Sequence, residues 1–581
     1  MFSRTWITGL TLAALTLLFI AAQSAKAQTF TVLYNFTGGS DGGYPEASVI
    51  QDAQGNLYGT TVYSGDLSCV NDNGGSQPGC GVVFKLDTTG NETVLHTFIK
   101  TDGALPEAPV IRDAEGNLYG DTARGGAYGW GTVFKVDASG NETVLHSFNN
   151  TNGDGWGATG PLLLDKAGNL YGDTYNGGVY GYGTVFELDG GTEIVLHSFT
   201  GSDGAYPYLT SLLMDNKGNL YGTTYEGGTS GQGAVYEVSN GQETVLRAFA
   251  GGTTDGCYPI GIPAVDSQGS LYGTTNACGS SNMGTVWKLS KNGTETVLHS
   301  FTGSDGAYPH QGAILDANGN LYGTAAQGGM DGYGTVYELN KERVLTVLHS
   351  FAESDGANPD GGLILDANGN LYGTTINGGT YGYGTVFKLT PPAPTTITLT
   401  SAPNPSTYGQ AVAFTAAVTS KLGPPSDGET VSFMKGKTLL GTGTLSGGSA
   451  SFTTLTLAVG TNTIKAVYSG DTTFATSTSK AAGQVISKAT TTTTLASSLN
   501  PSKVGQSVTF TASVAPEFSG KVTGTVTFYD GTTLLKTVYV SGGVAKLTTK
   551  TLTSGTHTIT ATYNGSTSFS GSSALLTQTV H

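Results

Sequence analysis

Charged side chains are scarce in this sequence. They make up 12% of its 581 residues, which is about half of the usual fraction in soluble proteins. Positive charge is the scarcer kind, with 26 Lys and Arg against 42 Asp and Glu and a formal net charge of −16. Nucleic acids and anionic membranes bind through clustered positive charge, so neither is expected as a partner.

Long apolar runs are also few. The run from Ile7 to Ala22 follows Arg4 and precedes Ala25-Lys26-Ala27, which is the order of a signal peptide with its small-x-small cleavage site. No second run long enough to span a bilayer follows it. We therefore predict a signal peptide over residues 1–27, with a retained anchor as the alternative. The mature chain is expected to be a secreted, extracellular or periplasmic monomer without a transmembrane segment.

Cysteine is nearly absent, with four residues at Cys69, Cys80, Cys257 and Cys278. An even number in an exported protein favours disulfides, and the pairs that close local loops are Cys69–Cys80 and Cys257–Cys278. A zinc site is disfavoured because the sequence has neither a Cys-x-x-Cys string nor a nearby pair of histidines.

Glycine is abundant, at 89 residues, roughly 15% against a usual share near 7%. Many of these glycines belong to an internal repeat. The string Gly-Asn-Leu-Tyr-Gly, with Ser for Asn in one copy, begins at seven positions spaced by 50 to 61 residues: Gly55, Gly116, Gly168, Gly218, Gly269, Gly319 and Gly369. A period near 50 residues is typical of a propeller, a solenoid or an array.

Each repeat reads as four short antiparallel strands, which is the pattern of a propeller blade. A solenoid would need parallel coils and terminal caps. The segment Val32–Phe36 precedes the first repeat, and the last repeat ends at Leu389 without its fourth strand. A strand offset of this kind lets Val32–Phe36 complete the last blade and close the ring. We predict an all-β fold with a seven-bladed β-propeller over residues 28–390.

The composition shifts to Thr and Ser after the propeller region. A Pro-rich linker spans residues 391–394. The string Asn404-Pro405-Ser406 recurs as Asn500-Pro501-Ser502, which predicts two Ig-like β-sandwich domains over residues 395–487 and 488–581.

The strings Gly-Asn-Leu-Tyr-Gly and Gly-Tyr-Gly-Thr-Val-Phe resemble the GloVer (Gloeo-Verruco) tandem-repeat family over residues 31–389. This resemblance implies an exported bacterial protein without an established enzymatic role, so no catalytic residues carry over. The two C-terminal segments resemble bacterial Ig-like domains of type 3, which implies a spacer or an adhesive stalk.

Standard catalytic motifs such as His-Glu-x-x-His, the P-loop and the nucleophile elbow do not occur in the sequence. Seven Asp-Gly pairs recur in the loops, at Asp41, Asp102, Asp154, Asp203, Asp255, Asp305 and Asp355. Their repetition favours turn capping, with calcium binding as the alternative; no other cofactor is expected. Five histidines recur at one strand position, where we expect a packing or edge role: His96, His146, His197, His299 and His349.

Aromatic residues are concentrated in two classes of loop that a propeller would present on one face. The candidates for binding are Trp130, Trp156, Tyr182, Tyr208, Tyr333 and Tyr383. Such rings are suited to stacking on sugars. The alternative is that they wedge the Gly-rich loops together between blades.

The residue five positions after each loop Asp varies from repeat to repeat: Glu46, Glu107, Thr159, Tyr208, Ile260, His310 and Asp360. Ring closure would join His310, Asp360, Glu46 and Glu107 into one polar arc at the channel mouth. Clustered carboxylates with a histidine suit metal binding or proton exchange, whereas solvated variation is the alternative.

The predicted function is therefore non-catalytic. We expect an exported protein for surface binding or adhesion, with a polysaccharide or another cell-surface polymer as its partner. The alternative is a secreted polysaccharide hydrolase or lyase with its site at the channel mouth.

Overall fold

The structure is a computed structural model that describes residues 29–70, 77–151, 153–210, 212–471 and 473–581. The predicted signal peptide, residues 1–27, lies outside the described residues. Throughout those ranges the secondary structure is all β, without a helix. The chain divides into two compact units, Met1–Pro391 and Pro392–His581. Among the residues described, no helix has the length and apolar character that crossing a bilayer demands.

The described residues of the first unit form seven four-stranded antiparallel sheets, which we number 1 to 7. Strand β1 (Thr29–Asn35) precedes sheet 1, which consists of β2 (Ile50–Gln51), β3 (Leu57–Thr61), β4 (Val82–Leu86) and β5 (Glu92–Thr97). Sheet 2 consists of β6 (Ile111–Arg112), β7 (Leu118–Thr122), β8 (Thr132–Val136) and β9 (Glu142–Ser147). Next come β10 (Gly155–Trp156), β11 (Leu163–Leu164), β12 (Leu170–Thr174), β13 (Asn176–Gly177), β14 (Thr184–Asp189) and β15 (Thr192–Ser198). Of these, β10 pairs with β13, and the other four form sheet 3.

The remaining sheets repeat the same order. Sheet 4 consists of β16 (Leu213–Met214), β17 (Leu220–Thr224), β18 (Ala234–Ser239) and β19 (Gln242–Ala248). Sheet 5 consists of β20 (Gly256–Val265), β21 (Leu271–Cys278), β22 (Thr285–Leu289) and β23 (Glu295–Ser300). Sheet 6 consists of β24 (Ile314–Leu315), β25 (Leu321–Ala325), β26 (Thr335–Leu339) and β27 (Leu345–Ser350). Sheet 7 consists of β28 (Ile364–Leu365), β29 (Leu371–Thr375), β30 (Thr385–Thr390) and, as its fourth strand, β1.

The first strand of the chain thus belongs to the last sheet. Strand β1 pairs antiparallel with β30, from Thr29 opposite Thr390 to Asn35 opposite Thr385. The two ends of the repeat region are held together by backbone hydrogen bonds, and β30 does not become a free sheet edge.

The Leu-Tyr-Gly string has a packing explanation that sheet 1 illustrates. Leu57 is 2% exposed, and the Tyr58 hydroxyl donates to Asp52 Oδ2 at 3.1 Å. Asp52 caps the turn by accepting the backbone N–H of Asn56 at 2.9 Å. A Cβ added to Gly59 would lie 2.7 Å from the Phe84 ring. Only glycine leaves room for that ring on the neighbouring strand.

Aromatic pairs join each sheet to the next. A phenylalanine that follows the fourth strand of each sheet is fully buried in all seven copies: Phe36, Phe98, Phe148, Phe199, Phe249, Phe301 and Phe351. Each of these rings packs edge-on against an aromatic ring on the third strand of the next sheet. The Phe36–Phe84 pair, with centroids 5.2 Å apart, makes this contact between sheets 7 and 1.

Backbone hydrogen bonds repeat the same linkage. One loop residue before each sheet, the bridging residue, has a positive φ: Tyr44, Leu105, Gly157, Tyr206, Tyr258, Tyr308 and Asn358. Its N–H donates to a loop carbonyl of the preceding sheet, as from Tyr44 to Tyr383 and from Tyr206 to Tyr182, both at 2.8 Å. The residue two positions after each bridging residue is one of the seven positions that vary from repeat to repeat: Glu46, Glu107, Thr159, Tyr208, Ile260, His310 and Asp360. We call these seven residues the variable arc.

The second unit holds two β-sandwiches. The first contains β31 (Thr395–Ala402), β32 (Ser406–Thr407), β33 (Val412–Ser420), β34 (Thr430–Lys435), β35 (Thr438–Thr444), β36 (Ser449–Thr454), β37 (Gly460–Tyr468), β38 (Ser477–Thr478) and β39 (Ala482–Ser487). The second contains β40 (Thr491–Ser497), β41 (Val508–Pro516), β42 (Thr525–Asp530), β43 (Thr533–Tyr539), β44 (Val544–Thr549), β45 (Gly555–Tyr563) and β46 (Ser572–Val580). In each sandwich a three-stranded sheet packs on a larger sheet. The cores are centred on Phe414 and Phe433 in the first and on Phe510 and Phe528 in the second.

Candidate functional site

Five members of the variable arc form one electrostatic cluster in the first unit. His310 Nδ1 lies 3.6 Å from Asp360 Oδ2. The charges of Glu107 and Asp360 act on Glu46, and those of Glu46, Glu107 and Asp360 act on Tyr208. We call these five residues the central cluster. The other two arc positions, Thr159 and Ile260, are buried and uncharged.

The carboxyl groups of the central cluster are weaker acids than exposed carboxyl groups. Burial raises the pKa of Glu46 well above its usual range, and the nearby charges of Glu107 and Asp360 raise it further. Burial also raises the pKa of Glu107, against the opposing charge of Arg124. Burial raises the pKa of Asp360, while His310 opposes that rise. These carboxyl groups therefore retain protons at a pH where exposed carboxyls are ionised.

Two further acids adjoin the cluster and were missed by the sequence analysis. They lie on the second strand, at a position that is threonine in the five other sheets: Thr60, Thr223, Thr274, Thr324 and Thr374. Four of these threonines donate to a backbone carbonyl just before the first strand of the next sheet, as Thr374 does to Ala47 at 2.8 Å. In sheets 2 and 3 the position holds Asp121 and Asp173, which are 1% and 2% exposed.

These two aspartates differ in their partners. Asp173 Oδ2 accepts the Thr210 hydroxyl at 2.7 Å. Neither carboxyl oxygen of Asp121 has a hydrogen-bond partner among the described residues. Burial raises the pKa of Asp173 to about 7, although the Thr210 hydrogen bond opposes the rise. Burial and the charges of Asp173 and Glu107 raise the pKa of Asp121 well above its usual range.

Tyrosine rings flank the central cluster on one side. Tyr208 contacts Tyr175 and Tyr225, with centroids 5.4 and 6.0 Å apart. Tyr175 also contacts Tyr206 at 5.2 Å, and Tyr225 stacks on Tyr258 at 4.9 Å. Sequence analysis missed Tyr175 and Tyr225. Their signal was present, because the same repeat position holds only Val62, Ala123, Asn276, Ala326 and Ile376 elsewhere.

The predicted loop aromatics contact one another across the sheet junctions. Trp130 and Trp156 lie with ring centroids 4.8 Å apart, and the Arg124 guanidinium lies 5.1 Å from the centre of the Trp156 ring. Tyr182 packs on Tyr206 at 5.6 Å. Trp130 and Tyr182 each remain 36% exposed, so one face contacts a neighbouring loop while another is open to solvent.

The other two predicted aromatics are also held by neighbours. Tyr383 packs on Tyr44 at 5.6 Å, across the junction of sheets 7 and 1. The Tyr333 hydroxyl donates to Glu353 at 2.9 Å. Neither of these rings belongs to the central cluster.

The repeated loop aspartates have two structural roles. One oxygen caps the loop, as Asp102 Oδ1 does by accepting the Ile99 N–H at 3.0 Å. The other oxygen faces the repeated histidine, with Asp102 Oδ2 3.1 Å from His96 Nε2. Turn capping was the favoured interpretation from the sequence, whereas the pairing with histidine was not foreseen.

Both predicted disulfides are confirmed. Cys69 is bonded to Cys80, and Cys257 is bonded to Cys278. The second pair joins the adjacent strands β20 and β21.

A cavity of about 660 Å³ lies elsewhere, at the turns of sheets 4 and 5. Its lining includes Met214, Asp215, Lys217, Glu237 and Lys291. None of the predicted site residues lines this cavity, and it brings together no set of buried acids or aromatic rings comparable to the central cluster.

No curated protein matches this chain. Two solved structures of the extracellular domain of BT4673 from B. thetaiotaomicron are each 13% identical, with TM-scores of 0.40 and 0.41. Their alignments cover 79% and 80% of this chain and 58% and 60% of those domains, so the chain spans about three fifths of their length. The adhesin InvE of Yersinia pseudotuberculosis is 17% identical with a TM-score of 0.21, over 31% of this chain and 58% of InvE.

Two families match parts of the chain directly. Residues 494–581 match the bacterial Ig-like domain (group 3), so the second sandwich is an Ig-like domain. The Gloeobacter/Verrucomicrobia repeat matches residues 63–266 and 244–455. These two matches together extend over more than half of the sequence, and the chain belongs to the Gloeobacter/Verrucomicrobia repeat family.

Proposed function

We propose that this chain is an exported seven-bladed β-propeller on an Ig-like stalk that binds a carbohydrate at the propeller centre without cleaving it. The propeller arrangement is supported by seven consecutive four-stranded sheets with one strand offset. It is also supported by the contact between sheets 7 and 1, where Phe36 packs on Phe84 as the equivalent rings do at every other junction. In a propeller, radial repetition of the blades leaves only short, protected sheet edges.

The central cluster and its tyrosines carry the functional proposal. In a propeller the first strand of each blade lines the central channel, and the cluster residues directly precede those strands. Glu46, Glu107, Asp360 and His310 offer hydrogen-bonding groups, while Tyr208 offers a ring face. Sugars present hydroxyls along their rim and apolar C–H groups on their ring faces, so acids opposite tyrosines suit them.

Two buried acids that adjoin the cluster are unfavourable for the stability of the fold. Asp121 and Asp173 replace threonines that link neighbouring sheets by hydrogen bonds. Buried carboxyls without full hydrogen bonding destabilise a fold. Acids at positions where the repeat favours threonine are typical of a binding site rather than of a scaffold.

Export is supported by composition and by covalent structure. The chain contains two disulfides, and disulfides persist in oxidising compartments such as the periplasm and the cell exterior. The Ig-like domain at residues 494–581 fits a role as a spacer that holds the propeller away from a surface. Attachment to a polysaccharide or another surface polymer is the function that such a layout serves.

A polysaccharide hydrolase or lyase is the second candidate, and one observation favours it. The His310–Asp360 pair and the raised pKa of Glu107 are features of acid–base catalysts near neutral pH. An enzyme would turn over its polymer, whereas a binding protein would retain it.

The test is a glycan array with the mature chain and two variants. Glu46→Gln, Glu107→Gln and Asp360→Asn together replace the three carboxyl groups of the cluster by amides of nearly the same shape. Tyr175→Val with Tyr225→Ile replaces the tyrosines by residues that other repeats carry at the same position, which protects the fold. Tyr128→Ala is the control, since Tyr128 is a 62% exposed loop tyrosine outside the cluster.

We expect the bound glycan to be lost from both cluster variants and kept by the Tyr128 control. Release of reducing ends or of unsaturated sugars from the same glycan would replace the binding proposal by the enzyme. Equal binding by the parent and both cluster variants would overturn the central site.

A further inference from the structure

A second kind of ionisable cluster recurs at the fourth strands of the sheets, whereas the central cluster precedes the first strands. Each junction there combines the repeated histidine of one sheet, the aspartate of the following loop and a residue near the start of the fourth strand of the next sheet. Among the described residues, three junctions hold a complete His–Asp–Glu set: His96–Asp102–Glu142, His146–Asp154–Glu193 and His197–Asp203–Glu243. In each set, one ligand atom per residue lies within 4.8 Å of the others.

In the junction of sheets 2 and 3 the histidine lies farther from its aspartate than in the other two sets. His146 Nε2 lies 3.8 Å from Asp154 Oδ1 and 4.0 Å from Glu193 Oε2. Both distances exceed those of hydrogen bonds. His146 thus lies close to both acids without a hydrogen bond to either, while Glu193 and Asp154 lie close enough to share a proton, which helps to raise the pKa of Glu193.

These groups are also buried. The Asp154 side chain is 6% exposed, that of Glu193 is 12% and that of His146 is 16%. Within the described part of the chain, Asp154 Oδ1, His146 Nε2 and Glu193 Oε1 have no hydrogen-bond partner. Asp154 Oδ2 is held by the Asn149 N–H at 2.7 Å, which turns Oδ1 toward the histidine. Buried polar atoms without partners are unfavourable by about 1–3 kcal/mol each. A bound ligand would supply the partners that these atoms lack.

The junction of sheets 4 and 5 shows that a positive charge fits between the two acids. Arg247 replaces the histidine there, and its Nη2 lies 2.9 Å from Asp255 Oδ2 and 2.8 Å from Glu295 Oε2. The chain itself supplies a cation to the equivalent pair of carboxylates. A cation between Asp154 and Glu193 would have to come from outside, since the third group there is an imidazole.

Two other junctions lack the second acid, and their histidines behave differently. Leu345 and Phe30 stand where Glu193 stands in its own set. In these junctions the histidine bonds to the single aspartate, at 2.9 Å for His299–Asp305 and 3.0 Å for His349–Asp355. In the His96 and His197 junctions, which have both acids, the histidine also bonds to its aspartate, at 3.1 and 3.2 Å. The unpartnered imidazole nitrogen is therefore particular to the His146 junction, and a metal ion at the other two would have to replace that bond.

We propose that His146, Asp154 and Glu193 bind one divalent transition-metal ion of the Zn²⁺ type, and that the His96 and His197 junctions repeat this site. One imidazole nitrogen with two carboxylate oxygens is a donor set for Zn²⁺, Mn²⁺ or Co²⁺, whereas Ca²⁺ prefers oxygen ligands alone. Ligands on one Zn²⁺ lie roughly 3.4 Å apart given Zn–N and Zn–O bonds near 2.1 Å. The distances from His146 Nε2 to Asp154 Oδ1 and Glu193 Oε2, 3.8 and 4.0 Å, exceed that spacing by roughly 0.5 Å.

The ion would join neighbouring sheets. His146 belongs to β9 of sheet 2, and Glu193 belongs to β15 of sheet 3. A metal that binds the folded chain and not the unfolded chain stabilises the fold, and the free energy gained rises with the logarithm of its concentration above the dissociation constant. The site is independent of the central cluster, so its failure would leave the carbohydrate proposal untouched.

The experiment uses the untagged mature chain, stripped with EDTA, dialysed and titrated with ZnCl₂ by calorimetry, with bound zinc counted by mass spectrometry. We expect up to three equivalents of Zn²⁺ and a rise in the melting temperature of the first unit. His146→Arg copies the natural Arg247 arrangement, so it should fold and lose one equivalent. His299→Ala, in a junction with a single acid, is the matched control and should keep the full number.

Three results would overturn the proposal. The first is a parent chain that binds neither Zn²⁺, Mn²⁺ nor Co²⁺ saturably. The second is a folded His146→Arg variant with the parent stoichiometry. The third is an equal loss of zinc in His299→Ala, which would assign the binding to histidines in general. Tryptophan fluorescence checks that each variant is folded.

Discussion

Phe30 and His349 stack face to face, with ring centroids 3.7 Å apart and ring planes 5° from parallel. Phe30 stands at the repeat position that holds glutamate in five of the seven fourth strands. The same ring packs on Phe351 at 5.6 Å and on Phe387 at 5.5 Å. Because Phe30 lies on β1 and His349 on β27, this contact fastens the first strand of the chain to sheet 6 as well as to sheet 7.

We expect Phe30→Ala to destabilise the first unit by about 2 kcal/mol, since a half-buried phenylalanine loses part of the full core value. Urea unfolding followed by tryptophan fluorescence measures this, because the tryptophans after residue 27 all lie in the first unit: Trp130, Trp156 and Trp287. Thr31→Ala, an exposed change on the same strand, is the control. Equal effects of the two changes would show that β1 contributes little through the Phe30 ring.

The metal proposal predicts a gain of binding. Leu345→Glu adds the missing acid to the His299–Asp305 junction, so one further equivalent of Zn²⁺ should bind. Leu345→Gln has nearly the same shape without the charge and should leave the stoichiometry unchanged. If the Glu and Gln variants bind the same amount of zinc, the second carboxylate is not what completes the site.

The repeat glycines allow a test of close packing. A Cβ on Gly120 would lie 2.6 Å from Cζ of Phe134. We expect Gly120→Ala to destabilise the first unit by about 2 kcal/mol through overpacking. In a Phe134→Leu background the smaller side chain makes room, so the added penalty should shrink. A double-mutant cycle measures this coupling, and strictly additive changes would contradict the ring-on-glycine explanation.

Much of the architecture could be predicted from the sequence because local residue patterns determine it. The spacing of the Leu-Tyr-Gly strings gives the four strands of each sheet, and the unpaired Val32–Phe36 segment corresponds to β1 beside β30. The disulfides were also predictable. Cys257 and Cys278 lie on either side of one hairpin, so their pairing needs no knowledge of distant contacts.

The site was only partly accessible, because it depends on which strand faces meet between sheets. The arc from His310 to Glu107 was found by looking for departures from the repeat in the loops. The same search along the second strand would have found Asp121 and Asp173. The meeting of His146 with Glu193 was out of reach, since the two lie on different sheets and no sequence pattern gives the register between them.

The pKa of Asp173 predicts how the stability of the first unit depends on pH. Burial raises that pKa to about 7, whereas an unfolded aspartate titrates near 3.9. Between about pH 4 and 7 the folded chain keeps a proton that the unfolded chain has lost, so stability falls as pH rises through this window and levels off above it. Asp121, beside Asp173, acts in the same direction because its pKa is also raised.

Asp173→Asn removes this titration and keeps an acceptor for the Thr210 hydroxyl. We expect the variant to be more stable than the parent at pH 8, by at most about 4 kcal/mol, and to differ little from it at pH 4.5. Urea unfolding at pH 4.5, 6 and 8 measures the difference. The same variant should bind its carbohydrate less well if Asp173 belongs to the proposed site, which would pair a gain in stability with a loss of function.

Asp215→Asn provides a control of opposite sign. Burial favours a higher pKa for Asp215, but hydrogen bonds from Asn219 and Lys217 outweigh it and hold the pKa below its usual value. A lowered pKa contributes stability that is present above the unfolded value and lost as pH falls, so this variant should be the less stable one at pH 8. If Asp173→Asn also lost stability at pH 8, Asp173 would be ionised and well solvated in the folded chain, and the buried acids could not be the destabilising element beside the central cluster.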